Sequence, residues 1–498
     1  MNHNLKTKTT NSIQWTILNT IFSTTIQFIQ LAILGRLLSP TDFGLMAMVM
    51  LVTEFAMIFS QMGLSEAIIS KASYTRKQLS SLYWINIVAG IILYCILTVF
   101  SSPIAFFFDE ARLIPMIPVV ALIFIISSLS IQFDALLRKH LMFDIFTKIN
   151  IIALITGFII SIGFALKDYG VWSLVYGQLG FHGIRTIFLF FVAVKKKWLP
   201  LFHFNYNEIN EHFIFGLHRV GAMAINQLNS RIDQLVIGSL LGPIALGYYN
   251  MAFRIVLQPI QQINPILTQV AFPVFSLIQD DNKQLKSAFL KMIRLLISVN
   301  APLLIGISAV APVAIPLLLG PQWNPSVPVV QILAFYALIR SLGNAGGSLI
   351  LAKGKASWTL FWNVALMFFI PATVYIAVTV KQTITIVAIA LVILQIILVF
   401  LHYFTLLKPL IGSFLLNYLI SIGKPFFAAS LMGISVYFLM PLILSNHPIY
   451  QLSFSVIVGV LLYIILSLIV QRALFLEYWD IVPETIQNKL KRICKMIL

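Results

Sequence analysis

Gly35-Arg36-Leu37-Leu38-Ser39-Pro40-Thr41-Asp42-Phe43-Gly44 is met again 203 residues later as Gly238-Ser239-Leu240-Leu241-Gly242-Pro243-Ile244-Ala245-Leu246-Gly247. Gly, Leu, Leu, Pro and the closing Gly coincide. Each copy ends one long apolar segment and turns the chain into the next, as Pro and Gly do at a helix stop. The match extends backwards as polarity: Thr16, Ser23, Gln27 and Gln30 fall, at the same offset, on Arg219, Asn226, Ser230 and Asp233. Steps of seven, four and three place these groups on one helical face. A polar-faced apolar helix that occurs once in each half predicts two related lobes around something wet. The plainer alternative is a common helix–turn–helix spacing without duplication.

Composition decides the solvent. Of 498 residues 59% are hydrophobic and 10% charged, with mean hydropathy +0.95, whereas a soluble domain carries about 25% charged residues. The chain reads as an all-α polytopic membrane protein. Lys6 and Lys8 precede an apolar run that resembles a secretory leader. That run continues past Ile33 with polar residues and no small-residue cleavage site, so it reads as a retained first span. Two cysteines, Cys95 and Cys494, give neither a disulfide framework nor a metal cluster. No cofactor is expected.

Apolar windows of about 20 residues predict fourteen spans, near 13–38, 44–70, 79–102, 114–137, 146–166, 171–194, 213–240, 244–272, 288–319, 327–351, 357–380, 384–407, 423–445 and 449–472. Alternate loops hold 24 of the 33 lysines and arginines, against four (Arg36, Arg112, Lys167 and Lys381) in the other set. The positive-inside rule then puts both termini in the cytoplasm. Six spans separate the two motif copies, so both face the same way and relate by an axis along the membrane normal. The expected organisation is an N-terminal lobe over 1–201, a C-terminal lobe over 202–408, and two additional helices with a tail over 409–498. The loops are too short for an extramembrane domain.

Five cations fall within spans, and all are arginine: Arg185, Arg219, Arg231, Arg254 and Arg340. A charge at the bilayer centre costs at least about 2.5–3.5 kcal/mol, so it faces a cavity or a partner. Guanidinium is planar, permanently charged and suited to bidentate phosphate contacts. A cationic lumen for a phosphate-bearing substrate is one reading; snorkelling or a structural ion pair is the other. Glu54, Glu66, Asp134 and Asp233 are the acids in or near spans. They fit ion coupling or, equally, arginine counter-charge, and Asp134 with Arg138 has the spacing of a helix-end pair. Asn226, Gln227, Asn229 and Gln234 in the seventh span, and Gln258, Gln261, Gln262, Thr268 and Gln269 in the eighth, fit a glycan path or interhelical hydrogen bonding. His182 and His218 could join either network. No zinc-spaced His/Glu pair, phosphate loop or paired external carboxylates occur, so the chain does not read as an enzyme.

The motifs carry a resemblance. Arg36 to Gly44, followed by Gly63-Leu64-Ser65-Glu66-Ala67-Ile68-Ile69, is similar to the start of polysaccharide-export flippases, in the colanic acid exporter-like branch of the multidrug/oligosaccharidyl-lipid/polysaccharide exporter superfamily. Arg231-Ile232-Asp233, Leu246-Gly247-Tyr248-Tyr249, Ala252-Phe253-Arg254 and Leu319-Gly320-Pro321-Gln322-Trp323 agree in order and spacing, over roughly residues 10–410. The resemblance implies a flippase of the bacterial inner membrane. Its cargo would be a polyprenyl-pyrophosphate-linked oligosaccharide, moved by alternating access for cell-surface polysaccharide (lipopolysaccharide or exopolysaccharide). Arg36, Arg231, Asp233 and Arg254 fall on family motif positions; Arg185, Arg219, Arg340, Asn226 and Gln258 enter through the cavity argument alone. Implied partners are the lipid-linked oligosaccharide and membrane lipids, with polysaccharide assembly proteins as further candidates and no nucleic acid. Rival readings are a multidrug or ion antiporter of the same superfamily, a membrane glycan polymerase or ligase, and an uncoupled scramblase.

Overall fold

The computed structural model describes residues 3–61, 68, 74–205, 210–440 and 447–470; the side chains of 3–10, 13, 61, 210–220, 222, 270 and 356 lie outside the described residues. All regular structure among them is helical. Among the described residues twelve helices are long and apolar enough to cross a membrane, or thirteen when one bent pair counts as a single span.

The bent pair is α5 (Leu113–Ser128) and α6 (Ile131–Lys139), angled by 44°. Near the break the Ser128 hydroxyl donates to the Ile125 carbonyl and the Ser130 hydroxyl to that of Ser127. Side chains thus take up helix carbonyls where the backbone ladder changes direction. Its bounds match the predicted span 114–137.

The predicted seventh and eighth spans belong to one continuous helical run, α9 (Asn210–Leu277), interrupted by non-helical backbone at Gly242 (φ 76°, ψ −176°). The break is a reversal. The Tyr249 hydroxyl donates to Asp233 at 2.6 Å and the Asn250 amide to Gln234 at 2.9 Å, each across 16 residues. On a straight helix that separation would be about 24 Å. Positive φ at Gly242 is open to glycine without a Cβ penalty, so this residue lets two antiparallel arms form. Counted by length, α9 enters once, and the number stays below the fourteen spans expected.

The chain divides into two compact units. The first comprises 1–251, 318–325 and 360–387. It contains α1 (His3–Leu37), α2 (Pro40–Gln61), α3 (Arg76–Val99), the short α4 (Ser101–Phe107), α5, α6, α7 (Phe143–Ala165), α8 (Val171–Lys195), the first arm of α9 with the start of its second arm as far as Met251, and most of α12 (Ala356–Val380). α7 and α8 approach closely because glycines face each other: a Cβ on Gly157 would lie 2.8 Å from the Gly177 carbonyl oxygen. Small residues replace the missing hydrophobic drive between helices in lipid. α1 is pinned to α7 by polar contacts, Thr147 to the Trp15 carbonyl at 3.1 Å and Asn150 to Asn19 at 3.0 Å.

The second unit comprises 252–317, 326–359 and 388–498. It holds the remainder of α9, α10 (Asn282–Leu319), α11 (Ser326–Ala352), most of α13 (Ile384–His402), a π-turn over Tyr403–Leu407, α14 (Lys408–Ile411), α15 (Leu415–Leu439) and α16 (Pro448–Val470). α10 carries Pro302, Pro312 and Pro316 internally, which lipid-embedded helices tolerate where neighbours satisfy the freed carbonyls. Tyr463 on α16 donates to the Ser298 carbonyl of α10 at 2.8 Å, and α15 and α16 pack as an antiparallel pair at Gly459 and Val436. These two helices are the predicted additional pair.

Candidate functional site

The two motif copies meet in the first unit. A Cβ on Gly44 would lie far inside van der Waals contact distance of the Pro243 carbonyl oxygen, and one on Gly247 far inside that of Pro40. The loop after α10 closes over them. Trp323, fully buried, donates from Nε1 to the Gly35 carbonyl at 2.7 Å and sets its ring edge-on to Phe43 at 5.2 Å and Tyr248 at 6.0 Å. Gln322 donates to the same carbonyl at 2.7 Å, and Arg36 Nε donates to the Leu318 carbonyl at 3.2 Å. Arg36 is therefore exposed at a turn and engaged with backbone.

Two arginines of the first unit are matched by carboxylates. Arg185 Nη2 lies 2.7 Å from Asp134, which also takes Arg138 at 3.1 Å. Asp134 and Arg185 side chains are 14% and 24% exposed, against 46% for Arg138, so the inner pair is the desolvated one. Arg185 also stands 5.9 Å from the Phe146 ring centroid. His182, one turn before Arg185 on α8, contacts the Ser127 hydroxyl at 3.0 Å.

Arg231 pairs with Glu54 of α2 at 3.2 Å, and Gln227 donates to the same carboxylate at 3.1 Å. Both charged side chains are 31% exposed, so the pair keeps contact with polar surroundings. Glu54 and Gln227 border a cavity of about 260 Å³ that is also lined by Thr53, Gln178 and His182, with Met50, Met57 and Met223 among its apolar walls. The i,i+3 and i,i+4 steps Gln227, Ser230, Arg231 and Gln234 put this polar edge on one face of the first arm of α9. Asp233 points elsewhere, buried and accepting from Tyr249. Asn226 is exposed.

The second unit holds its own polar cavity, of about 380 Å³. One wall is α9 with Leu257, Ile260, Gln261, Asn264, Pro265 and Thr268; the other is α11 with Ala337, Arg340, Ser341 and Asn344. Arg340 Nη1 is 3.1 Å from the Tyr336 hydroxyl, which holds one edge of the guanidinium. Arg254 is exposed and Gln258 half-buried on the same arm of α9. The side chains of Arg219 and His218, and the whole of Glu66, lie outside the described residues.

Among the named candidates, then, Arg231 meets Glu54, Arg185 meets Asp134, and Arg340 opens on a cavity. Asn264, Asn344, Ser341 and Gln178 are cavity-lining polar residues that sequence reading had not singled out. Asn264, Asn344 and Gln178 could have been found by extending the helical spacing from Gln261, Arg340 and His182; Ser341, directly after Arg340, had no such neighbour among the named candidates.

Helices of membrane-spanning length, reversed at a glycine-broken turn and enclosing polar groups in apolar surroundings, define a multi-pass membrane protein with polar cavities among its helices. The family model described as "Polysaccharide biosynthesis protein" matches residues 33–328, and the chain belongs to that family. It is 34% identical over 431 residues to the teichuronic acid biosynthesis protein TuaB of Bacillus subtilis, covering 84% of this chain and 86% of that one. It is 31% identical over 424 residues to the lipopolysaccharide biosynthesis protein WzxC of Escherichia coli, covering 85% and 86%. Among solved structures, the lipid II flippase MurJ in an inward closed conformation superposes with TM-score 0.70 at 18% identity, over 93% of this chain and all of that one. The family expected from the motifs is thus established, and the fold is shared with that flippase.

Proposed function

We propose that this protein flips a polyprenyl-pyrophosphate-linked oligosaccharide across the bacterial inner membrane, by alternating access, for a cell-surface polysaccharide. The observation that carries the reading is the placement of Arg340 on a cavity lined by amides and hydroxyls between otherwise apolar membrane helices. A permanent cation is retained in such a setting where it meets an anionic or polar cargo. Family membership and the flippase fold support the same direction. The physical task is to move an anionic, hydroxyl-rich headgroup through about 30 Å of hydrocarbon, and a cationic, amide-rich path offsets the desolvation. The moving parts are the two six-helix repeats, 1–201 and 202–408, with 409–498 as an appendix, and both termini lie in the cytoplasm. Arg231 and Arg254 serve the pyrophosphate and Arg340 the glycan part of the cargo, while Arg185 is matched by Asp134 and contributes through structure.

The competing reading, export of cationic compounds, is favoured by one feature: Glu54 beside three methionines in the first unit's cavity. Arg231 at 3.2 Å offsets that carboxylate and weakens the case.

The test is the sidedness of the lipid-linked oligosaccharide in cells lacking the protein. Accumulation in a form protected from an external, non-permeant glycan-cleaving enzyme, relieved by the wild type, is expected. Accumulation in an accessible form would place the defect after translocation and transfer the assignment to a polymerase or ligase.

A further inference from the structure

The second unit's cavity has a feature that a general cationic path does not explain. Asn264, 2% exposed, lines it. Its Oδ1 accepts from the fully buried Asn300 at 2.8 Å, and among the described residues neither its Nδ2 nor the Oδ1 of Asn300 has a hydrogen-bond partner. Leaving a buried donor unmet costs about 1–3 kcal/mol, and such a group in a cavity wall has an evident use as a ligand donor. Arg340 and Asn264 stand on opposing walls, and the lining contains no carboxylate.

Counting charge narrows the ligand. A diphosphate needs several cations to offset its desolvation, whereas this cavity presents one guanidinium among neutral groups. A carboxylate carries a single charge and fits the planar guanidinium fork bidentately. Gln261, Asn344, Ser341 and Thr268 add amides and hydroxyls suited to sugar hydroxyls. The volume of about 380 Å³ lies within the range of small-ligand sites, roughly 300–1,000 Å³.

We propose that this cavity is a subsite for a carboxylated sugar residue, a uronic acid of the glycan, with Arg340 taking the carboxylate and Asn264 acting as the specificity-determining donor. This rests on the flippase reading for its physiological ligand, yet binding is measurable without transport.

The experiment uses the full chain in lipid nanodiscs and follows glucuronate, glucose and inorganic pyrophosphate by saturation-transfer NMR, with the thermal midpoint as a folding check. Glucuronate is expected to bind, and glucose and pyrophosphate to bind at least about tenfold more weakly, the factor that one charge-assisted hydrogen bond supplies. Asn264→Asp keeps the oxygen that accepts from Asn300 but replaces the donor with an anion, and should abolish glucuronate binding. Asn344→Asp, at an exposed position of the opposite wall, applies the same repulsion should Asn264→Asp fail to fold. Equal binding of glucose, absence of binding by any probe, or unchanged affinity in both variants overturns the proposal. Preferential binding of pyrophosphate, lost in Arg340→Gln, also overturns it and gives the cavity to the lipid headgroup. Intact glucuronate binding in a protein whose absence leaves the lipid-linked oligosaccharide correctly exported would retain the subsite and sink the flippase reading instead.

Discussion

Gly44 and Gly247 hold equivalent places in a reciprocal contact: Gly44 abuts the carbonyl of Pro243, and Gly247 abuts that of Pro40. Residue i of the first copy meets j of the second, and the counterpart of i meets the counterpart of j, as in an isologous interface between subunits. Here the two partners are segments of one chain 203 residues apart, as expected of a duplicated unit related by an axis through the contact. Neither glycine leaves room for a side chain.

The first prediction follows from that contact. Gly44→Ala and Gly247→Ala each force two backbones apart and should destabilise by about 1–3 kcal/mol, read as a lower thermal midpoint of detergent-solubilised protein. Gly183→Ala, on a helical glycine with nothing within 4 Å of its prospective Cβ, should be neutral or stabilising by up to about 1 kcal/mol. Equal loss in all three variants would remove any special status from the paired contact.

Trp323 gives a second. Trp323→Phe removes one of two side-chain donors to the Gly35 carbonyl but leaves Gln322 in place, so a loss of about 1 kcal/mol is expected. Adding Gln322→Ala leaves that carbonyl short of both donors, and the double variant should lose more than the sum of the singles. Strict additivity of the thermal shifts would contradict a shared acceptor.

The third concerns Arg185. Asp134→Asn strips a partly desolvated guanidinium of its carboxylate and should cost up to about 3 kcal/mol, while Asp134→Asn with Arg185→Met removes the uncompensated charge and recovers part of it. Arg138, nearly half exposed, stays solvated in both. Transport that survives in the double variant, at matched protein level, is the result a structural role requires.

These cases show what could be read from sequence and what could not. Hydropathy and positive charge along the chain outline the spans, because a bilayer imposes length and polarity locally on every helix. The repeated turn was visible for the same reason: Pro and Gly act within a few residues. Partners were not visible. Glu54 and Arg231 are 177 residues apart, and Asp134 and Arg185 are 51 apart; helical periodicity says which face a charge occupies, not which neighbour covers it. Asp233, one of the acids read as an arginine counter-charge, also accepts from Tyr249 across the Gly242 reversal, a contact that no local pattern announces. Asn264 was passed over because a lone amide beside a proline gives no local sign that its donor lacks a partner.

The Glu54–Arg231 pair allows a test that separates structure from substrate. Removing either charge alone, in Glu54→Gln or Arg231→Gln, breaks a pair whose side chains are each 31% exposed, so both singles should modestly reduce folded protein as well as transport. Exchanging the charges, Glu54→Arg with Arg231→Glu, rebuilds the attraction across α2 and α9. If the pair serves only to hold helices, the exchange restores protein and transport together. If Arg231 also meets the anionic headgroup, the exchange moves the cation to α2 and sets a carboxylate where the phosphate would bind. Restored protein with transport still lost, measured as protected lipid-linked oligosaccharide in cells, is the expected outcome. The coupling at stake is that of a partly exposed pair, up to about 1 kcal/mol, so fold recovery should register as a small rise in thermal midpoint, and transport recovery should not follow it.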